Sequence, residues 1–296
     1  MKIIVALTCC LISISAFAQK TYILKQDYPV GKRYDYAINS DQIVNQKIAG
    51  KESDFIQNIG TDYTFEIKEA KGTDKNINVI YKRINMKSVG MGKELIIDSD
   101  KEEAGKQNPF TGLRNASFTM ILSPNGAVKS ISGMDKMISE MARKMTSDTT
   151  QIKPIIVSLS KQFNAEVVRQ TMESSLKIFP DKPVKIGDSW TINTKMHVTM
   201  PVESITTYTL KEVNGNVAAL TIRGTLISKG EFDSMGNKMT SDLKGLNVGD
   251  AQVDLKTGMI LNSHTRTELY GKMKSVDQDI DFDIQGINKV AGKEMN

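Results

Sequence analysis

Thiols are nearly absent from this chain. Its only two cysteines, Cys9 and Cys10, stand side by side within the first ten residues. That opening reads as an export signal: Lys2 is a short positive start, Ile3 to Ser15 an apolar run, and Ala16-Phe17-Ala18 an A-x-A cleavage site. Segment 1–18 is expected to be removed, so that the mature chain begins near Gln19 without a cysteine. Disulfides, thiolate metal sites and cysteine nucleophiles are then excluded. An uncleaved anchor fits less well, because crossing a bilayer takes about 20 apolar residues. A lipid-modified cysteine also fits less well, since Thr8 and Cys9 occupy the preceding positions where a small residue is expected.

Other scarcities narrow the function. A single tryptophan argues against a carbohydrate platform of stacked rings. No apolar run after the signal is long enough to span a membrane. The formal net charge is +5, with both signs mixed along the chain, which does not suit nucleic acid. The chain is thus expected to be a soluble exported protein, periplasmic or extracellular, with no cofactor and no metal. Sixteen methionines point instead to an adaptable apolar interior.

What the chain does have is alternation. Tyr34, Tyr36 and Ile38 share one face of a strand, and Tyr63, Phe65 and Ile67 one face of the next. Ala49-Gly50-Lys51 and Lys71-Gly72-Thr73-Asp74 are turns, Ile77 to Val89 is a strand, and Leu95 to Ile97 a short one. Asp98 to Asn108 is charged and reads as an exposed loop. Phe118, Met120 and Leu122 lead into the hairpin Ser123-Pro124-Asn125-Gly126. After Pro183 the pattern returns, with hairpins at Asn214-Gly215 and Lys256-Thr257-Gly258 and a final strand over Val276 to Ile284.

Between these halves, Gly133 to Phe179 has helical periodicity. Met134, Met137, Ile138, Met141 and Met145 fall on one helical face, and a second helical run carries Ile152, Ile156, Leu159, Phe163, Val167, Val168, Met172 and Leu176. The halves look alike. Gly31-x-x-Tyr34 matches Gly187-x-x-Trp190, Thr61-x-Tyr63-Thr64 matches Thr206-x-Tyr208-Thr209, and the Gly126 and Gly258 hairpins correspond. The expected fold is mainly β (α+β), two similar antiparallel sheet modules joined by a helical hairpin, as a curved sheet or half-barrel covered by helices. The segments are 1–18 signal, 19–132 first module, 133–179 connector and 180–296 second module.

The export signal, the Gly-x-x-Tyr strand start, Pro183-Val184-Lys185-Ile186-Gly187-Asp188-Ser189-Trp190 and Asp254-Leu255-Lys256-Thr257-Gly258 resemble an uncharacterised family of exported bacterial proteins, a domain of unknown function common in Bacteroidota. The resemblance covers the whole mature chain and implies no catalytic or ligand residues. In architecture alone, a curved antiparallel sheet covered by helices is similar to periplasmic lipoprotein-carrier and lipid-binding lipoprotein folds.

Candidate chemistry is thin. His197 and His264 lie in separate strand segments with no H-E-x-x-H or H-x-H around them, so they read as strand histidines rather than metal ligands or bases. Asp277, Asp279, Asp281 and Asp283 share one strand face. Their side chains diverge, where calcium needs six to eight converging ligands, so a solvated face near Lys272 and Lys274 is expected. Ser158-Leu159-Ser160-Lys161 falls mid-helix, and Gly90-Met91-Gly92-Lys93 lacks the spacing of a phosphate loop. The speculative ligand-binding set is the methionine stripe: Met134, Met137, Ile138, Met141, Met145 and Phe163, lining a space for lipid or another apolar ligand. The expected function is non-catalytic binding of an apolar small molecule or an envelope protein partner. A structural protein with a packed core, and a hydrolase using an Asp/Glu pair, are the alternatives.

Overall fold

The computed structural model describes residues 20–101, 110–197, 200–234, 237–275 and 278–295. The expected export signal 1–18 with Cys9 and Cys10, residues 102–109, and Val276 and Asp277 lie outside them. The alternating segments become β1 (Arg33–Ile48), β2 (Lys51–Lys71), β3 (Asp74–Gly90), β4 (Lys93–Asp98), β5 (Ser117–Leu122) and β6 (Val128–Ser132). After the helices come β7 (Ser189–His197), β8 (Pro201–Asn214), β9 (Val217–Ser234), β10 (Asn237–Asp254), β11 (Ile260–Ser275) and β12 (Gln278–Met295). At about 3.3 Å per residue, the 21 residues of β2 run roughly 70 Å.

All twelve strands form one antiparallel sheet, ordered β6-β5-β3-β2-β1-β12-β11-β10-β9-β8-β7, with β4 added to the far half of β3. The two halves of the chain meet where β1 pairs with β12 along its full length. Their starts close alike: the Gly31 N–H donates to the Ile67 carbonyl and the Gly187 N–H to the Leu210 carbonyl, at 2.9 and 2.8 Å. A bulge follows each, before Glu69 and before Glu212. Tyr34 faces Phe65 and Trp190 faces Tyr208. The register therefore makes Phe65, two residues on from Tyr63, the counterpart of Tyr208.

The helical segment forms three helices, α1 (Met134–Met145), α2 (Thr149–Gln162) and α3 (Ala165–Leu176). The second run breaks because the Asn164 side chain accepts from the Val167 N–H at 2.9 Å, capping a new helix. Helix α3 bridges the two edges of the open sheet. Glu173 accepts from the Val128 N–H of β6 at 3.2 Å, and Trp190 of β7 donates to the Ile178 carbonyl at 2.8 Å. Beneath, residues 20–28 cross the base as a strap. Tyr22 bridges to Val184, Gln26 N–H donates to the Pro124 carbonyl and Asp27 N–H to the Thr257 carbonyl. The base core is a row of aromatics: Tyr28 on Tyr34, Tyr36 on Phe65 and Tyr63 on Tyr81, each pair 4.8–4.9 Å between centroids.

The charged stretch from Asp98 begins inside the protein, contrary to the loop reading. Asp98 and Ser99 are buried, because Arg83 donates two hydrogen bonds to the Asp98 carboxylate, at 3.1 and 2.7 Å. The guanidinium holds that carboxyl below the usual range. Its folded pKa is lowered, so the stabilisation is present above the ordinary carboxylate range and fades as pH falls through the lowered value. Asp98→Asn should cost about 1 kcal/mol at neutral pH, and urea titrations of both proteins in acid should converge.

The turn glycines Gly126 and Gly258 have φ of +89° and +70°, and a Cβ on either would collide with a backbone carbonyl, of Leu176 and Lys25 respectively. Gly215 has φ +60° with open space around it. Denaturation should show Gly126→Ala and Gly258→Ala losing about 2–3 kcal/mol or more, and Gly215→Ala only about 1.

Candidate functional site

The pairing register assigns every strand residue to one of two faces, since directly opposed residues point the same way. Tyr34, Tyr36 and Ile38 of β1 mark the face that the helices cover at the base. Followed outward along the same face, β1 continues with Ser40, Gln42, Val44, Gln46 and Ile48, and β12 with Asn288, Gly286, Ile284, Phe282 and Ile280. This face is concave. On β10 it carries Gly245 and Gly249, where a Cβ would collide with the Glu268 and His264 carbonyls of β11. Two flat strand spacings would separate β9 from β11 by about 9–10 Å, yet their Cα atoms come within 8 Å. The sheet curls sharply at β10.

Charge is partitioned between the faces. On the concave face of the strands, charged side chains stand only at strand ends, as Lys51, Lys75, Lys93 and Glu294 do. The alternate positions carry the charges: Lys238, Asp242, Lys244 and Asp250 on β10, and Asp279, Asp281 and Asp283 on β12. The aspartate row is thus convex and solvated, with Lys272 opposite Asp281 at 4.0 Å.

Three zones follow one another up the concave face. The base is packed solid, and Met134, Met137, Ile138 and Met141 are buried in it, with Met145 and Phe163 packed against the same cluster. The structure so brings all six predicted residues together. None of them lines the clefts found at the base, on the convex face of β1–β4 or beside Tyr270. Above the base lies a neutral belt. Gln42 donates to Ser40, Ser40 to Asn288, Asn288 to Thr267 and Thr267 to Asn247, at 2.8, 2.7, 3.0 and 3.1 Å. Beyond Gly224 the belt resumes with Thr206 and Ser204, whose hydroxyls are 2.9 Å apart.

Above the belt the face turns apolar again. Leu226, Leu243, Leu269, Met273 and Ile280 form a second buried cluster, edged by Ile48, Phe282, Ile284, Phe232 and Met239, with no helix over it among the described residues. The facing wall, on β2, β3 and β4, presents Phe55, Ile59, Met86, Leu95 and Ile97. These five are only half-buried or exposed and pack into neither cluster. The far half of the concave face is a trough in outline: two apolar stretches, on β2–β4 and on β9–β12, lie above the neutral hydrogen-bonded belt, and among the described residues the outer sides of β4 and β7 pair with no further strand.

The two histidines do not meet. His197 and His264 both lie on the convex face with β8, β9 and β10 between them. Among the described residues no three His, Cys, Asp or Glu side chains are placed to hold a metal ion, and no helix is long and apolar enough to cross a membrane. Buried phenols stay neutral: burial pushes Tyr34 and Tyr208 up to about 12. The trough residues escaped the sequence reading because β10 and the outer half of β9 have few large apolar residues. The signal that marks them is charge confined to every second position.

Among solved structures, lipovitellin, described for its lipid–protein interactions, has a TM-score of 0.52 at 9% identity. The match covers 90% of this chain and 25% of the lipovitellin chain, so this protein spans about a quarter of that one. The likeness shows the fold. An outer membrane channel from Pseudomonas putida F1 has a TM-score of 0.28 at 6% identity over 90% of this chain and 97% of the channel, too low to bear on either fold or function. No curated protein matches the chain. The family of unknown function DUF6263 matches residues 72–260, from the β2–β3 turn to the first residue of β11, and the chain belongs to that family.

Proposed function

We propose that this protein is an exported, non-catalytic carrier that holds the acyl part of a lipid against the concave face of the sheet, above the neutral belt. The observation that carries the reading is the wall of Phe55, Ile59, Met86, Leu95 and Ile97. It is apolar, belongs to neither packed cluster, and shares the concave face with the second cluster, where the charged side chains on the far halves of these strands, Lys51 and Lys93, stand only at the outer end. An apolar guest completes the burial that both walls leave unfinished. Removing a dozen methylenes from water would supply about 10 kcal/mol gross at ~0.8 kcal/mol each, which after association costs leaves room for micromolar affinity. The methionine face of α1 serves this reading as the packed floor of the base. The lipovitellin likeness supports a fold compatible with lipid, and the open edge between β4 and β7 supplies a way in.

A fluorescent fatty acid titrated into the purified protein should bind saturably and gain intensity. Phe55→Glu with Ile59→Glu, at sites whose side chains are only half-buried, should weaken that binding by about tenfold or more through the cost of placing charge in the trough. The unfolding midpoint should stay close to that of the parent protein. A parent protein that shows no uptake, and yields no lipid on organic extraction, would overturn the reading.

A further inference from the structure

We propose that the lip formed by β4 and the β3–β4 turn seats on the surface of a lipid bilayer, so that an acyl chain passes from the membrane into the trough between β4 and β7. This inference rests on the lipid-carrier reading above. Among the described residues strand β4 pairs with β3 alone, so it is an edge in the far half of the sheet. Protein edges of this kind are normally blunted by charge, because an apolar edge recruits other chains. Here the middle of the edge, between Glu94 and Asp98, is apolar on both sides. Leu95 faces the trough and is 51% exposed, Ile96 faces the convex side and is 53% exposed, and Met91 at the turn, with φ +50°, is 71% exposed. On the convex side Val89, Ile56 and Ile43, directly opposite one another on β3, β2 and β1, form a second exposed apolar row, separated from Ile96 by the Lys87–Glu94 pair.

The two-sided exposure chooses the partner. A protein surface docking against one face of β4 would cover Leu95 or Ile96 and leave the other in water. A fluid apolar phase receives an edge from both sides at once. Continuity points the same way: Leu95 shares its face with Phe55, Met86 and Ile97, and the charged side chain of β4 on that face, Lys93, stands at its turn end. Charge at the lip suits a membrane as well. Lys87 and Glu94 neutralise each other at 2.5 Å. Lys93 beside the turn and Lys51 farther along the rim make no ion pair among the described residues, and their long stems let the ammonium groups reach headgroups while the neighbouring apolar side chains enter.

The test uses the full chain with Ile96→Trp, the native Trp190 serving as a reference held in the base by its bond to Ile178. With phosphatidylcholine vesicles containing phosphatidylglycerol, emission from the introduced indole should shift to the blue and be quenched by brominated acyl chains, less so with phosphatidylcholine alone. Met91→Asp with Ile96→Asp, both outside the trough wall, should cut vesicle co-sedimentation and the rate of fatty-acid uptake from vesicles by about tenfold, leaving uptake of the same probe from free solution unchanged. Normal uptake from solution with no shift or quenching on vesicles would overturn the lip and leave the carrier reading standing. Loss of uptake from solution in the parent protein would remove the carrier reading itself. A blue shift that follows protein concentration without vesicles would assign the lip to a second copy of the chain, and so overturn it.

Discussion

A broad antiparallel sheet has two faces to reconcile with water, and three short helices reach only the base of this one. The far half therefore depends on curvature. At Gly245 and Gly249 the absence of a side chain lets β11 fold in over β10, and the curl brings Leu226, Leu243 and Leu269 together without help from any other layer. A methyl group at those positions would hold the strands apart and expose the cluster. The trough, its uncharged lining and its open edge all follow from that bend. Glycine weakens a strand that must stand alone, and here the loss is offset by apolar area that a flatter sheet would leave in water.

Stability is concentrated at the other end. The aromatic row across β1, β2 and β3, the methionine face of α1, the strap at residues 20–28 and the bridge made by α3 close the base on every side. The belt from Gln42 to Asn247 separates this base from the trough. Each of its side chains finds a partner, so it carries little desolvation cost, and it gives the interior a change of character without placing a charge there. A rigid base and a looser trough can coexist because the join between them is polar, neutral and satisfied.

Much of this was legible in the sequence. Alternation over Tyr34 to Ile38 and Tyr63 to Ile67 placed strands and their inward faces, and Asn214-Gly215 and Lys256-Thr257-Gly258 placed hairpins, because short-range rules govern both. Three features were hidden. Most of strand β10 went unread because its inward positions between Leu243 and Ala251 are glycine and asparagine, suited to curvature and hydrogen bonding rather than to burial. Asp98 reads as solvated because its partner Arg83 is brought to it only by the pairing of β3 with β4. The methionine stripe was visible as an amphipathic face, but periodicity is the same for a face packed on neighbours and for one lining a cavity. The wall of Phe55, Ile59 and Met86 belongs to strands whose outer halves carry many polar residues, and only the register shows that its members share a face.

The last strand of the chain lies in the middle of the sheet. Among the described residues β12 is the only strand that joins β1 to β11, so the two halves of the sheet remain separate until β12 has paired with both. Pairings between positions as far apart as Tyr34 and Glu294 are slow to form, because the intervening loop must be closed before any contact rewards it. A growing chain is thus kept from completing its fold by the order of its strands. In that sense the sheet's topology acts as a timer, released when β12 inserts between β1 and β11.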